Sequence, residues 1–237
     1  MASSASNSTL DCDVLVVGGG NAGFCSAISA AQSGAGRVLL IDKCPKDWAG
    51  GNSYFTAGAF RTVHSGLDDI LPLVNNVSES TASKIDLAPY TVADFESDLN
   101  RMTVGRYDKG LGGVLLGESN EAVKWLKENG VRFQLSFNRQ AYEIDGRFKF
   151  WGGMCLKTQD GGKGLIEDHQ RAAEKAGVEV RYETAAKRIN QDEKTGAFRS
   201  LVAEDRDGKS VCIHAKALIL AGMFMSNEPI VAEADIL

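Results

Sequence analysis

Residues 12–42 read CDVLVVGGGNAGFCSAISAAQSGAGRVLLID, and their order decides the fold. Val14 to Val17 form a short apolar run of the kind that makes a strand buried on both faces. The run enters Gly18-Gly19-Gly20-Asn21-Ala22-Gly23, a Gly-x-Gly-x-x-Gly pattern at Gly18, Gly20 and Gly23. A helix of small residues is predicted from Ala22 to Gln32, then a second apolar run, Val38 to Ile41, closed by Asp42. In such a unit the first glycine permits a tight turn and the second lets backbone approach a pyrophosphate. The third lets the helix pack closely on the strand. The helix N-terminus offers unpaired N–H groups and a partial positive charge. Asp42 stands 19 positions after Gly23, where an acid accepts a hydrogen bond from a ribose hydroxyl. A glycine-rich turn in an ordinary α/β protein needs none of this order. The order predicts a dinucleotide site that includes Gly18, Gly20, Asn21, Ala22, Gly23 and Asp42.

Working outward, the composition sets limits. At 237 residues, 43% hydrophobic and 24% charged, the chain can bury a sizeable core. A net charge of −5 gives no sign of nucleic acid or an anionic membrane as partner. No apolar run is long enough to span a bilayer. The first ten residues, MASSASNSTL, lack a basic start and an apolar centre. They read as a disordered tail (1–10), leaving 11–237 as the folded domain. The 5 cysteines form no Cys-x-x-Cys pair, which argues against a disulfide framework, a zinc site or a redox dithiol. A reducing cytoplasm is the expected compartment.

After Asp42 and Lys43 comes a stretch rich in small residues, in which Gly50 and Gly51 allow close backbone approach while Asn52, Ser53 and Thr56 offer hydrogen bonds. Residues 61–91 read as an irregular insert. Helical periodicity returns at Val92, Phe95, Leu99 and Met102, and a further helix is predicted over 119–129 with Ser119 as its N-cap. Asp160-Gly161-Gly162-Lys163-Gly164 opens a helix carrying Leu165, Ile166, His169 and Ala172 on one stripe, and Gly177 ends it before the strand Val178–Tyr182. Asp207-Gly208 marks a hairpin within 197–214, and Lys216 to Ala221 reads as a buried returning strand. The fold class is α/β: a Rossmann-like domain with a parallel sheet, flanking helices and a small β-hairpin layer.

The pattern separates two dinucleotides. A short-chain NAD-dependent dehydrogenase needs Tyr-x-x-x-Lys, which none of the 5 tyrosines supplies. The Gly50–Ala59 loop and the late hairpin instead match FAD-binding domains. GGGNAG, Asp42, the Gly-Gly-Asn-Ser loop (50–53), GGK (161–163) and AGVEVRYETAAKRI (176–189) resemble the FAD-dependent oxidoreductase 2 family, the succinate dehydrogenase/fumarate reductase flavoproteins. ESNEAVKWLKENGVRF (118–133) is most similar to the family's tricarballylate dehydrogenase-like members.

That resemblance implies FAD as cofactor, with Gly18, Gly20, Gly23 and Asp42 on its ADP half and Lys43 beside the ribose. It places Gly51, Asn52, Ser53 and Gly58 near the pyrophosphate and flavin, and the backbone of Ala185 or Ala186 at the adenine. Ala221 and Gly222 stand at the returning strand, where the chain reads Ala-Gly-Met-Phe and the family usually has Ala-x-Gly-Gly-Phe. Asn52 occupies the position of the histidine that carries covalent FAD in respiratory members, so non-covalent FAD is expected. The family also implies a capping domain beyond residue 237, so the chain reads as truncated before it. Catalytic residues are not assigned, and Arg61 and His64 are the candidates for pairing with a substrate carboxylate, against a plain structural role. Three readings follow. One is an FAD-dependent oxidoreductase acting on a small, carboxylate-bearing molecule. Another is an FAD-binding accessory or split-enzyme subunit whose missing part is on a second polypeptide. The third is a different enzyme class using NAD.

Overall fold

A computed structural model describes residues 8–222. The chain begins with β1 (Ser8–Val17), α1 (Asn21–Gln32), β2 (Val38–Ile41), α2 (Gly51–Tyr54), β3 (Ala59–Phe60), α3 (Leu67–Ile70), α4 (Glu79–Ala82) and β4 (Ile85–Leu87). It continues with α5 (Val92–Thr103), α6 (Lys109–Glu128), β5 (Phe133–Leu135), α7 (Phe137–Gln140), β6 (Ala141–Ile144), β7 (Arg147–Phe150) and β8 (Leu156–Thr158). Then come α8 (Gly161–Lys175), β9 (Glu179–Arg181), β10 (Thr184–Gln191), β11 (Phe198–Asp205) and β12 (Ser210–Leu220). The described residues form two compact units, 8–55 with 169–222, and 56–168. Where the sequence suggests one domain with an insert at 61–91, the second unit is larger than that insert.

The first unit is built on a six-stranded sheet in the order β10-β11-β12-β1-β2-β9. β12, β1, β2 and β9 run parallel, while β10 and β11 join antiparallel. Leu15, Val16, Leu39, Leu40 and Ile41 are wholly buried, as expected of central parallel strands, whose two faces are both covered. α1 packs on β1 and β2 through the buried Gly23, Phe24, Ala27 and Ile28, which recur at helical spacing. A core of Leu15, Leu39, Ile41, Leu201, Ala203, Val211 and Ile213 joins the parallel strands to the antiparallel pair. Each fully buried leucine or isoleucine there contributes about 1.5–3 kcal/mol. These contacts fix the end of β1, where the glycine loop begins.

Two boundaries and one burial pattern differ from expectation. β1 starts at Ser8 because Ser8, Thr9 and Leu10 pair with Val211, Cys212 and Ile213. Those three residues of the predicted tail are strand, and the rest of the tail lies outside the described residues. The hairpin over Asp207-Gly208 is present, and its second strand is continuous with the returning strand as β12. Its C-terminal half is less buried than the apolar run suggests, with Leu220 43% exposed. The cause is that β11 pairs only with Ser210 to Ile213, so among the described residues Ala217 to Leu220 are flanked by β1 alone. Met223 and Phe224 lie outside the described residues.

The second unit holds two three-stranded sheets, β3-β8-β5 and β4-β7-β6. Residues 61–91 are not irregular, since they contain α3, α4 and β4 and a bridge between His64 and Tyr90. The helix predicted at 119–129 is α6, capped by Asp108, whose Oδ1 accepts from the Leu111 N–H at 2.8 Å. Ser119 is therefore not a cap; buried within α6, its Oγ accepts from the Val63 N–H at 3.1 Å. Among the described residues, no helix is long and apolar enough to cross a membrane.

Candidate functional site

The first unit assembles most of the sequence-predicted positions at the C-terminal end of β1. Gly18 has φ +105°, and a Cβ there would lie 2.8 Å from the Gly222 backbone nitrogen. At Gly23 an added Cβ would sit 1.7 Å from the Gly18 carbonyl oxygen and 3.5 Å from the Ala221 Cβ. These two glycines are demanded by the fold itself, and they bring Gly18, Gly23, Ala221 and Gly222 together. Gly20 is different. Its backbone is extended (φ −80°, ψ −176°), and an added Cβ would meet only the Gly50 oxygen at 3.5 Å and Ser53 Oγ at 3.7 Å. Among the described residues nothing requires glycine at this position, so it leaves a gap that a methyl would fill.

The helix behind that gap is left open. Gly20, the N-cap of α1, has no side chain with which to cap the helix, so the first-turn N–H groups must find partners from outside α1. The Asn21 N–H donates to Ser53 Oγ at 3.1 Å, tying α2 to the start of α1. Gly50 precedes α2 with φ +117°, and exposed Gly51 has φ +52° with nothing within 4 Å of an added Cβ. The segment read as a loop thus contains a helical turn, with Asn52 exposed on it.

Asp42 closes the other side. Its Oδ2 accepts from the Gly19 N–H at 2.6 Å and its Oδ1 from the Cys44 N–H at 2.8 Å. The sequence assigns this acid to a ribose, and the structure adds a second task, holding the glycine turn to the end of β2. Charge-assisted bonds of this kind are the stronger class. The Asp42 carbonyl accepts from the Thr184 N–H at 2.9 Å, which sets Ala185 and Ala186 of β10 beside the same strand end. Lys43 is exposed.

One partner of the loop was not legible as such. His169 is on the apolar stripe of α8 and 1% exposed, and its Nε2 lies 2.8 Å from Asn21 Oδ1. The ring stacks on Phe24 with centroids 5.6 Å apart and planes 8° from parallel. Burial pushes its pKa down to about 4, so the imidazole is neutral, and Nδ1 is buried without a partner among the described residues. The stripe signalled burial, but the pairing spans 148 positions and has no local signature.

In the second unit Gly58 has φ +67°, and an added Cβ would meet Thr158 Oγ1 at 1.9 Å and the Gly161 backbone at 2.8 Å. Its need for glycine has an internal cause. Arg61 is committed: Nη1 donates to Asp98 Oδ2 at 2.6 Å and to the Tyr90 hydroxyl at 2.7 Å, and the guanidinium lies over the Tyr90 and Phe95 rings. His64 is buried, its Nδ1 accepts from the Gly66 N–H at 3.3 Å, and burial lowers its pKa. A polar recess of about 630 Å³ is lined by Lys157, Gln159 and Asp160 among others.

Residues 13–234 match the family model described as FAD binding domain. The vinyl phenol reductase of Lactiplantibacillus plantarum is 29% identical over 217 residues, covering 91% of this chain and 38% of that protein. The fumarate reductase (cytochrome) of Shewanella frigidimarina is 28% identical over 224 residues, covering 94% of this chain and 35% of its own length. Among solved structures, the open conformation of a flavocytochrome c3 fumarate reductase superposes with a TM-score of 0.65 at 24% identity, over 92% of this chain and 34% of that one. The chain therefore spans about a third of the length of the relatives it matches.

Proposed function

Because the chain belongs to the FAD binding domain family, we propose that it is the FAD-holding part of an oxidoreductase acting on a small, carboxylate-bearing molecule. The observation that carries this reading is the gap at Gly20, where the fold leaves room for a group beside the uncapped start of α1. Residues around it fit FAD. Gly18, Gly20, Asn21, Ala22 and Gly23 would hold the pyrophosphate, with Asp42 and Lys43 at the ribose and the Ala185 and Ala186 backbone at the adenine. Gly50, Gly51, Asn52 and Ser53, with Ala221 and Gly222, would line the rest of the cofactor, and Gly58 is the remaining candidate. Asn52 stands where the resemblance places the histidine that carries covalent FAD, and its carboxamide forms no such bond, so the cofactor proposed is non-covalent FAD. FAD, when bound, supplies the hydride chemistry.

The protein's own tasks are separate from that chemistry. Asp42 keeps the glycine turn closed, Ser53 fixes the first N–H of α1, and the helix start neutralises negative charge on the bound group. The Asp98 pairing of Arg61 and the burial of His64 favour structural roles for both. Residues that bind the substrate complete the site, from the same polypeptide or from a second one. Anaerobic mixing of the flavin-loaded protein with a panel of di- and tricarboxylates tests this. Bleaching of the flavin absorbance by one of them, or reoxidation of reduced flavin by an unsaturated acid, supports the oxidoreductase. No reaction with any acid, even with a candidate second polypeptide, leaves a cofactor-binding accessory chain instead.

A further inference from the structure

We infer that His169 is a positioning residue for the cofactor loop: its Nε2–H pins the carboxamide of Asn21 so that the Nδ2 amino group is offered to the cofactor's pyrophosphate. The inference rests on the FAD reading above. A neutral imidazole carries one N–H, on one of two nitrogens. Were it on Nδ1, a buried donor would be left without an acceptor, and orphaned buried N–H groups are rarer than orphaned acceptors. The proton therefore sits on Nε2 and is donated to Asn21 Oδ1 at 2.8 Å. One turn along α1, the Cys25 thiol lies 3.9 Å from the same oxygen and adds a second, weak donor. Two donors converging on Oδ1 settle which way the amide faces.

What remains of Asn21 is then defined. Its backbone N–H is taken by Ser53 Oγ, and among the described residues its Nδ2 donates to none. An amino group with two uncommitted N–H bonds, at the first residue of α1 and next to the gap at Gly20, suits a phosphate oxygen. His169 cannot drift from this task, because its ring is stacked on Phe24, three residues along the same helix.

Equilibrium titration with FAD, read by quenching of flavin fluorescence, tests the assignment in four chains: wild type, His169→Phe, His169→Gln and Asn21→Ala. Phenylalanine keeps the stacking and removes the donor, whereas glutamine keeps an N–H. His169→Phe is expected to weaken FAD binding roughly tenfold, the scale of one hydrogen bond to a charged group. His169→Gln should recover most of that loss, and in an Asn21→Ala background His169→Phe should add no further loss. Equal losses in the Phe and Gln chains, undiminished by Asn21→Ala, would overturn the assignment in favour of plain packing. Should His169→Phe fail to fold, nitrogen-15 shifts of the wild-type His169 ring decide, with a proton on Nδ1 refuting the pairing. A wild-type chain that takes up no FAD defeats the cofactor reading itself, a different outcome from any difference among variants.

Discussion

Changing Gly20 and Gly23 to alanine, one at a time, separates a glycine kept for the cofactor from one kept for the fold. In Gly23→Ala the new methyl carbon would lie 1.7 Å from the Gly18 carbonyl oxygen, which belongs to backbone and cannot swing aside. Such overpacking costs about 1–3 kcal/mol or more, against about 1 kcal/mol regained from alanine's helix propensity. A net loss of about 2 kcal/mol lowers the melting temperature of the cofactor-free chain by roughly 4–8 °C. In Gly20→Ala the methyl has only ordinary contacts at 3.5 and 3.7 Å, on an extended backbone that alanine adopts freely. Its reduced unfolded-state freedom adds about 0.4–1 kcal/mol, so the melting temperature stays level or rises slightly. The same methyl occupies the space proposed for the pyrophosphate, and FAD affinity should fall roughly tenfold to a hundredfold. Thermal unfolding without cofactor and flavin titration, run on both variants, give the two readouts. A Gly20→Ala chain that melts several degrees lower yet binds FAD like wild type would falsify the division of labour.

Three further outcomes follow from the same geometry. Asp42→Asn retains one good acceptor for two N–H donors, so urea unfolding should show a loss of about 1.5–3 kcal/mol, together with weaker FAD binding; an unchanged midpoint would contradict the bracing role. His169 has a native pKa of about 4 against an ordinary 6.5, so between those values the unfolded chain binds more protons. Stability is accordingly full above about pH 6.5 and declines toward pH 4, by up to about 3 kcal/mol, and His169→Phe should remove that part of the slope in denaturation measured across pH. Arg61→Ala breaks a partly exposed ion pair and its ring contacts, so it should lower stability by about 1 kcal/mol and leave the FAD dissociation constant within about twofold; a large loss of flavin affinity would contradict its structural role.

Local sequence carried the parts of the fold that depend on local physics. The β1–α1–β2 unit was legible because strands buried on both faces must be continuous runs of leucine, isoleucine and valine, and because only glycine fits at Gly18 and Gly23. The turn at Asp207-Gly208 was legible for a similar reason, as Gly208 takes φ +76°. The start of α6 is not legible because Gly110, Gly112, Gly113 and Gly117 look like breakers. At Gly112 the glycine is instead a seat for the Tyr107 ring, which an added Cβ would approach to 2.4 Å. β10 is not legible because TAAKRINQ has little apolar alternation, its single strand neighbour among the described residues being β11. The bracing of Gly19 by Asp42 and the hold of His169 on Asn21 join residues far apart in the chain, and spacing alone cannot announce such pairs.

The most direct measurement is equilibrium dialysis of the cofactor-free chain against FAD and, separately, against NAD. The gap at Gly20, the open start of α1 and the family membership predict saturable retention of FAD at one molecule per chain, weakened in Gly20→Ala and released intact on denaturation. Retention of NAD with no retention of FAD would contradict the assignment of this loop to a flavin dinucleotide.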